Sequence, residues 1–220
     1  VLFMSDSAIF DNATPIRGGI PLVFPQFGGG DLPSHGFARR SVWSIHSMEV
    51  DTLVLKLTDN ESTRNMWNNN KFTLLYSIKL EADSITTSLC VENQGDKPFN
   101  FQALLHTYFL LRNIKHTTLN GLSGKMFTDK LKDNLQPFVQ PEGQPVVFDR
   151  EIDRIFIDAP STVTLEGLAL SNINHGENNN ASTTCYALNG KDGSVTIDIN
   201  VDGGSGHDIV VWNPWIDKSK

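Results

Sequence analysis

Residues 15–40 (PIRGGIPLVFPQFGGGDLPSHGFARR) concentrate side chains that could bind and react with a small molecule. Arg17 and Arg39 are cationic, Ser34 offers a hydroxyl, and His35 can exchange a proton near neutral pH. A guanidinium group suits phosphate oxygens because its planar donors match their spacing. We interpret this stretch as one wall of a small-molecule site; surface arginines with a structural histidine are an alternative that the residues alone leave open.

Prolines and glycines must position these side chains. Pro21 and Pro25 fix φ and lack an N–H donor, so residues 22–24 between them are predicted to form at most a short edge strand. The glycines at 28–30 allow a sharp reversal of the chain. No Gly-Lys-Ser/Thr and helix follow them, so a phosphate-binding loop is not predicted, and side chains would have to bind any phosphate.

A second group of candidates lies on a predicted strand over residues 99–108. Alternation places Phe101 on one face and Gln102, His106 and Tyr108 on the other. Amides, an imidazole and a phenol on one face are typical of a strand that lines a cleft. A core histidine hydrogen-bonded to a neighbour is the alternative.

Period-two alternation predicts most of the remaining structure. The predicted strands cover residues 42–48, 51–58, 72–81, 85–91, 145–149, 151–157, 163–170, 195–201 and 209–212. Residues 82–84 are predicted to form the turn of an antiparallel hairpin. Residues 59–70 are predicted to be a polar connection that packs against the rest of the chain through Met66 and Trp67. Residues 125–140 are weakly patterned and have room for a short helix. We therefore predict an all-β chain of two stacked antiparallel sheets.

Length and charge limit the function. At 220 residues, with no composition break, the chain is predicted to be a single domain over residues 1–220. The net charge of −7 disfavours nucleic acid and anionic membranes as partners, and no apolar run is long enough to span a bilayer. Two distant cysteines fit a reducing compartment, so we expect a cytoplasmic protein.

The histidines are not spaced as metal ligands, so a metal site is not predicted. No Gly-x-Ser-x-Gly motif and no activated cysteine supports nucleophilic catalysis. Acid/base chemistry by a histidine, an aspartate and arginines remains.

Four ordered blocks resemble one known family. Residues 16–28 with 35–39, 105–109, 153–156 and 211–216 are similar to signature segments of the hexose-6-phosphate mutarotases, the glucose-6-phosphate 1-epimerase branch of the aldose 1-epimerase family. The resemblance implies an antiparallel β-sandwich of the galactose-mutarotase type. It also implies an isomerase that interconverts the α and β anomers of a hexose 6-phosphate without a cofactor.

The resemblance also implies roles for individual residues. His106 resembles the general acid that protonates the ring oxygen, and His35 resembles a helper imidazole near that oxygen. Arg17 and Arg39 resemble substrate and phosphate contacts, and Asp153 resembles the residue that holds a sugar hydroxyl.

Two departures from the family pattern qualify these expectations. Ser34 stands where the family has a glutamine; we keep it as a substrate-binding candidate, although it is too short for the same amide contact. The family's general base is a glutamate in an Ile-Glu-Pro-Gly-like segment that this sequence does not contain, and Asp217 is a poor substitute. We therefore expect a partial domain, lacking the first strands and the C-terminal segment, with impaired activity. A non-catalytic sugar- or sugar-phosphate-binding β-sandwich is the alternative.

Overall fold

The computed structural model describes residues 2–11, 14, 16–82, 84–111, 113–132, 136–167, 194–198 and 207–215. Contacts divide the chain into two compact units. The N-terminal unit consists of Leu2–Met4 and Ala8–Phe109, and the C-terminal unit consists of Val1, Ser5–Ser7 and Leu110–Lys220. The single-domain organisation stays a prediction.

The N-terminal unit is built on one four-stranded antiparallel sheet and one two-stranded antiparallel ladder. Its strands are β1 (Leu22–Val23), β2 (Ser44–Met48), β3 (Thr52–Thr58), β4 (Phe72–Leu80), β5 (Ile85–Asn93) and β6 (Leu104–Leu105). The larger sheet has the order β2-β3-β4-β5, and β1 pairs with β6. On β4, Phe72, Leu74 and Tyr76 are buried, as their alternation predicts. Leu80 pairs with Ile85, which confirms the predicted hairpin.

Phe24, which follows β1 directly, anchors the core of this unit. Its side chain is fully buried. The rings of Phe37, Trp67, Phe72 and Phe101 lie 5.3 to 6.2 Å from it, in tilted or edge-to-face arrangements. Such aromatic pairs contribute about 0.5–1.5 kcal/mol each beyond the area that they bury. The segment that carries the candidate arginines and His35 is therefore fixed to the core at Phe24 and Phe37.

The polar connection predicted over residues 59–70 contains a short helix, α1 (Glu61–Met66). The Asn60 side chain accepts a hydrogen bond from the Thr63 N–H, and the Thr63 hydroxyl oxygen accepts one from the Asn60 N–H. This reciprocal cap satisfies donors that the first helical turn leaves open. Trp67 follows the helix and is buried, as predicted, whereas Met66 is exposed.

The C-terminal unit contains two four-stranded antiparallel sheets. Its strands are β7 (Thr118–Asn120), β8 (Met126–Asp129), β9 (Pro137–Val139), β10 (Val146–Val147), β11 (Ile152–Phe156), β12 (Thr162–Glu166), β13 (Ser194–Asp198) and β14 (Ile209–Asn213). The sheet orders are β10-β7-β12-β13 and β14-β11-β8-β9. The helix considered for residues 125–140 is wrong in the described part of that segment, because β8 and β9 pair there.

The fold class agrees with the sequence. Every pair of named strands is antiparallel, which confirms the prediction of an all-β chain. The other named helical elements are two three-residue 3-10 turns, Ala38–Arg40 and Ile114–His116. Among the described residues, no helix has the length and apolar character needed to cross a membrane.

Candidate active site

The ladder between β1 and β6 carries the candidate acid. Leu22 is paired with Leu105, and the hydrogen bonding continues beyond the two strands. The His106 N–H donates to the Pro21 carbonyl oxygen at 3.0 Å, and the Tyr108 N–H donates to the Gly19 carbonyl oxygen at 2.9 Å. The backbone on either side of the His106 side chain is therefore held by the residues that follow Arg17.

A second backbone contact brings His35 and Arg39 to the same ladder. The N–H groups of Phe37 and Ala38 both donate to the Phe24 carbonyl oxygen, at 3.0 and 3.3 Å. Gly36 approaches this carbonyl so closely that a Cβ atom there would lie 2.0 Å from the oxygen. Its φ of +71° is also one that residues with side chains rarely adopt. Gly36 is therefore what allows the His35–Arg39 segment to lie against β1.

Three aromatic rings meet at this point. The centroids of the His35 and His106 rings are 6.2 Å apart, with the planes at 85°. The phenol ring of Tyr108 is stacked on the His106 ring, with 4.7 Å between centroids and 21° between planes. All three side chains are half-buried. Two groups that can carry protons thus lie side by side, partly shielded from water.

The His35 ring is oriented by backbone. Its Nδ1 atom accepts a hydrogen bond from the Gly28 N–H at 3.3 Å. An acceptor nitrogen carries no hydrogen, so the neutral imidazole holds its proton on Nε2. His35 also has a φ of 66°, in the left-handed region that non-glycine residues seldom occupy. The loop thus holds His35 as a hydrogen-bond donor through Nε2.

Arg39 enters the site from the 3-10 turn at Ala38–Arg40. One terminal nitrogen, Nη2, donates to the Ser34 carbonyl oxygen at 2.8 Å. The Nε atom is buried and makes no hydrogen bond. Burial, and next the charge of Arg40, lower the pKa of the Arg39 guanidinium, while Tyr108 acts in the opposite direction. A half-buried guanidinium whose buried Nε donor is unused is suited to an anionic ligand.

Arg17 is exposed, and its positive charge interacts with the phenol of Tyr108. Burial raises the pKa of Tyr108, and the guanidinium groups of Arg17 and then Arg39 lower it by smaller amounts. Two positive charges therefore act on the ring that is stacked on His106. The structure thus brings four of the six predicted site residues, Arg17, His35, Arg39 and His106, around Tyr108.

Ser34 takes part through its backbone. Its side chain is exposed, and its carbonyl oxygen holds Arg39. A direct contact between the Ser34 side chain and a substrate stays a prediction.

Asp153 belongs to the C-terminal unit. It lies on β11 opposite Trp212 of β14, and its side chain is 23% exposed. Its Oδ2 atom is 3.9 Å from Nζ of Lys130, whose N–H donates to the Asp153 carbonyl oxygen at 2.8 Å. The role of this carboxylate in binding a sugar hydroxyl stays a prediction.

Tyr108 is a residue of the candidate site to which neither the strand pattern nor the family resemblance assigns a role. The strand alternation had placed it on the polar face with His106, two residues away, and that spacing was the available signal. Gln102, from the same predicted face, has a structural role, since its Oε1 atom accepts a hydrogen bond from the Phe27 N–H at 3.0 Å.

Within the described residues, no group of three or more His, Cys, Asp or Glu side chains could hold a metal ion.

Comparison with protein families identifies a match over the whole chain. The family model described as Aldose 1-epimerase matches residues 1–220. A protein from Cenchrus ciliaris, named "Putative glucose-6-phosphate 1-epimerase", is 31% identical over 100% of this chain and 62% of its own length. A protein of the same name from Escherichia coli strain K12 is 33% identical over 79% of this chain and 58% of its own length. The chain thus spans about 60% of the length of these two relatives.

Solved structures agree on the fold. The Slr1438 protein from Synechocystis superposes with a TM-score of 0.68 at 24% identity, over 76% of this chain and 61% of its own. A galactose mutarotase related enzyme from Lactobacillus acidophilus superposes with a TM-score of 0.57 at 18% identity, over 67% of this chain and 58% of its own. These similarities confirm the predicted galactose-mutarotase type of β-sandwich fold.

Proposed function

Because this chain belongs to the aldose 1-epimerase family, we propose that it interconverts the α and β anomers of a hexose 6-phosphate by acid/base opening of the sugar ring. The observation that carries the proposal is the approach of the His35 and His106 rings to 6.2 Å, with Arg17 and Arg39 acting on the stacked Tyr108. Two relatives named for glucose 6-phosphate support the substrate class.

Two proton transfers are sufficient for this reaction. The anomeric hydroxyl loses a proton while the ring oxygen receives one, and the bond between the anomeric carbon and the ring oxygen breaks. The open aldehyde then turns about its first carbon–carbon bond and closes on the other face. In our proposal His106 gives the proton to the ring oxygen, and His35 donates a hydrogen bond through Nε2. A positioned acid of this kind accelerates a reaction by about 10² to 10⁴.

The phosphate is assigned to the two arginines. A protein with a net charge of −7 repels an anionic sugar in general, so binding depends on local guanidinium groups. The buried Nε donor of Arg39 and the exposed charge of Arg17 suit this task. We assign Asp153 to a sugar hydroxyl, as the family resemblance implies, and keep Ser34 as a substrate-binding candidate. We also propose a cytoplasmic location, to which an exposed free thiol at Cys90 is suited.

The proton acceptor is the part of the mechanism not assigned to these residues. The family's base is a glutamate in an Ile-Glu-Pro-Gly-like segment, and residues 1–220 contain no such segment. We therefore propose that these 220 residues, tested alone, bind a hexose 6-phosphate but exchange its anomers slowly. The second candidate function is a non-catalytic sugar- or sugar-phosphate-binding β-sandwich, in which Arg17 and Arg39 would bind a phosphate without turnover.

Optical rotation tests the proposal. Freshly dissolved α-glucose 6-phosphate should reach anomeric equilibrium faster with the protein than without it, and His106→Ala should reduce this acceleration by about 10²-fold or more while calorimetric binding is retained. His46→Ala, which removes an exposed imidazole from β2, is the matched control and should change neither quantity. Binding without any acceleration by the unaltered protein would select the non-catalytic function. Loss of binding in folded His106→Ala would make His106 a recognition residue.

A further inference from the structure

Tyr108 lies two residues after His106 in the segment that follows β6, where the Thr107 N–H donates to the Leu105 carbonyl oxygen at 3.0 Å. Their rings are stacked with 4.7 Å between centroids. Tyr108 is itself held by a third aromatic residue, since the Phe3 ring lies 6.5 Å away at 28° and the Phe3 N–H donates to the Tyr108 carbonyl oxygen at 2.9 Å. The phenol is thus a fixed support for the imidazole.

The orientation of an imidazole needs such a support. The torsion that turns a histidine ring about its Cβ–Cγ bond has a broad, roughly two-fold profile, so the side chain by itself does not fix the direction of its nitrogens. A proton donor misplaced by about 1 Å can lose about 10² in rate. On His106, the Tyr108 ring covers one face, while the His35 ring approaches in an edge-to-face arrangement.

The charges around His106 and Tyr108 favour a role for the aromatic ring of Tyr108 over a role for its hydroxyl proton. Burial raises the pKa of Tyr108 in spite of the opposing effects of Arg17 and Arg39, so the phenol is neutral near pH 7 and cannot serve as the base. A neutral aromatic face attracts a cation placed over it within about 6 Å. A protonated imidazole stacked on Tyr108 meets this condition.

We propose that Tyr108 is a positioning residue for His106, with a ring face that fixes the imidazole plane and supports its protonated form. As a role in catalysis, this rests on the function proposed above. The stacking itself can be tested without turnover.

Two substitutions separate the ring from the hydroxyl. Tyr108→Phe keeps the ring and should hold kcat within about threefold, whereas Tyr108→Leu should lower kcat by about tenfold or more with KM changed less than about threefold. Anomer exchange of α-glucose 6-phosphate supplies both constants. Phe101→Leu is the matched control, because Phe101 packs against Phe24, 5.3 Å away, and is 44% exposed. We expect it to leave kcat unchanged.

A nuclear magnetic resonance measurement on the unliganded protein completes the test. The ring current of Tyr108 shifts the resonances of the carbon-bound ring protons of His106. These resonances should therefore move in Tyr108→Leu and stay near their original positions in Tyr108→Phe and Phe101→Leu. The proposal is overturned if the resonances do not move in Tyr108→Leu. It is also overturned if Tyr108→Phe is as slow as Tyr108→Leu, or if Phe101→Leu loses as much kcat. If the unaltered protein shows no anomer exchange, the proposed function fails, and the resonances alone then decide whether Tyr108 orients His106.

Discussion

Gly28 and His35 exchange two hydrogen bonds. The His35 N–H donates to the Gly28 carbonyl oxygen at 2.9 Å, and the Gly28 N–H donates to Nδ1 of His35 at 3.3 Å. The second bond occupies Nδ1 as an acceptor, so the neutral ring has its donor at Nε2. The glycine-rich loop therefore sets both the position of the imidazole and the side of the ring that carries its proton.

We expect glutamine to replace His35 better than asparagine does. The terminal amide of Gln lies near the position of Nε2, whereas that of Asn lies near Nδ1. His35→Gln should keep most of kcat/KM for anomer exchange, and His35→Asn should lose about 10²-fold, the usual cost of one missing donor in a catalytic site. Asn tolerates a φ of 66° better than most residues, so greater strain would not explain its lower activity. Equal activity of the two variants would contradict a role for Nε2.

We expect Arg39→Lys to weaken phosphate recognition selectively. Lysine keeps the charge but lacks the planar fork and the buried Nε donor. Loss of a charged hydrogen bond costs about 1.5–3 kcal/mol, which raises the Kd for glucose 6-phosphate by about 10- to 100-fold. Calorimetric titration should show this increase for glucose 6-phosphate and little change for glucose. The exposed neighbour Arg40, replaced by Lys, serves as the control; an equal loss in Arg40→Lys would mean that Arg39 has no special part.

The sequence predicted the parts of this molecule that depend on short-range patterns. The alternation of β4 placed Phe72, Leu74 and Tyr76 in the core, although Thr73 is also buried and Leu80 is exposed. The prolines around residues 22–24 correctly limited β1 to a short strand. Arg17, His35 and Arg39, which the sequence groups with glycines, lie near one another around Tyr108. In each case the side-chain type or the local backbone restriction already determines the outcome.

The remaining features depend on contacts that a local pattern does not contain. Helix α1 has six residues, too few for an apolar period, and its signal was the Asn60-x-x-Thr63 cap. In residues 125–140, the pairing of β8 with β9 joins two short strands without clear alternation. Tyr108 was visible as a polar-face residue, but its importance follows from ring stacking and two nearby charges.

Gly36→Ala should destabilise the protein strongly. A methyl group there would meet the Phe24 carbonyl oxygen at 2.0 Å, and the φ of +71° is unfavourable for alanine. The left-handed conformation alone costs about 1–2 kcal/mol, so we expect the free energy of unfolding to fall by at least about 2 kcal/mol in urea titrations. Gly29→Ala is the matched control, because nothing lies within 4 Å of its added Cβ, and we expect a change within about 0.5 kcal/mol. Similar losses in both variants would show that the approach of Gly36 to Phe24 is not what matters.

Tyr76 provides a prediction for alkaline pH. Its side chain is 8% exposed, and burial raises the pKa of its phenol above the ordinary 10.0, with a hydrogen bond to Thr87 opposing the shift in part. Above pH 10.0, the unfolded chain has therefore released a proton that the folded chain still holds. Stability falls with rising pH wherever the unfolded state binds fewer protons. The stability due to the buried phenol is thus present below pH 10.0 and is lost as the pH rises through the folded-state pKa.

Tyr76→Phe should remove this pH-dependent loss. Near pH 8 we expect the variant to be less stable than the unaltered protein by about 1 kcal/mol, because it lacks the phenol hydrogen bond. Toward about pH 11 the difference should shrink, since only the unaltered protein has to keep a buried phenol protonated there. Urea unfolding of both proteins across this range measures the difference directly, and groups common to both cancel in the comparison. A difference that stays constant across the range would mean that the phenol has the same pKa in the folded and unfolded chains.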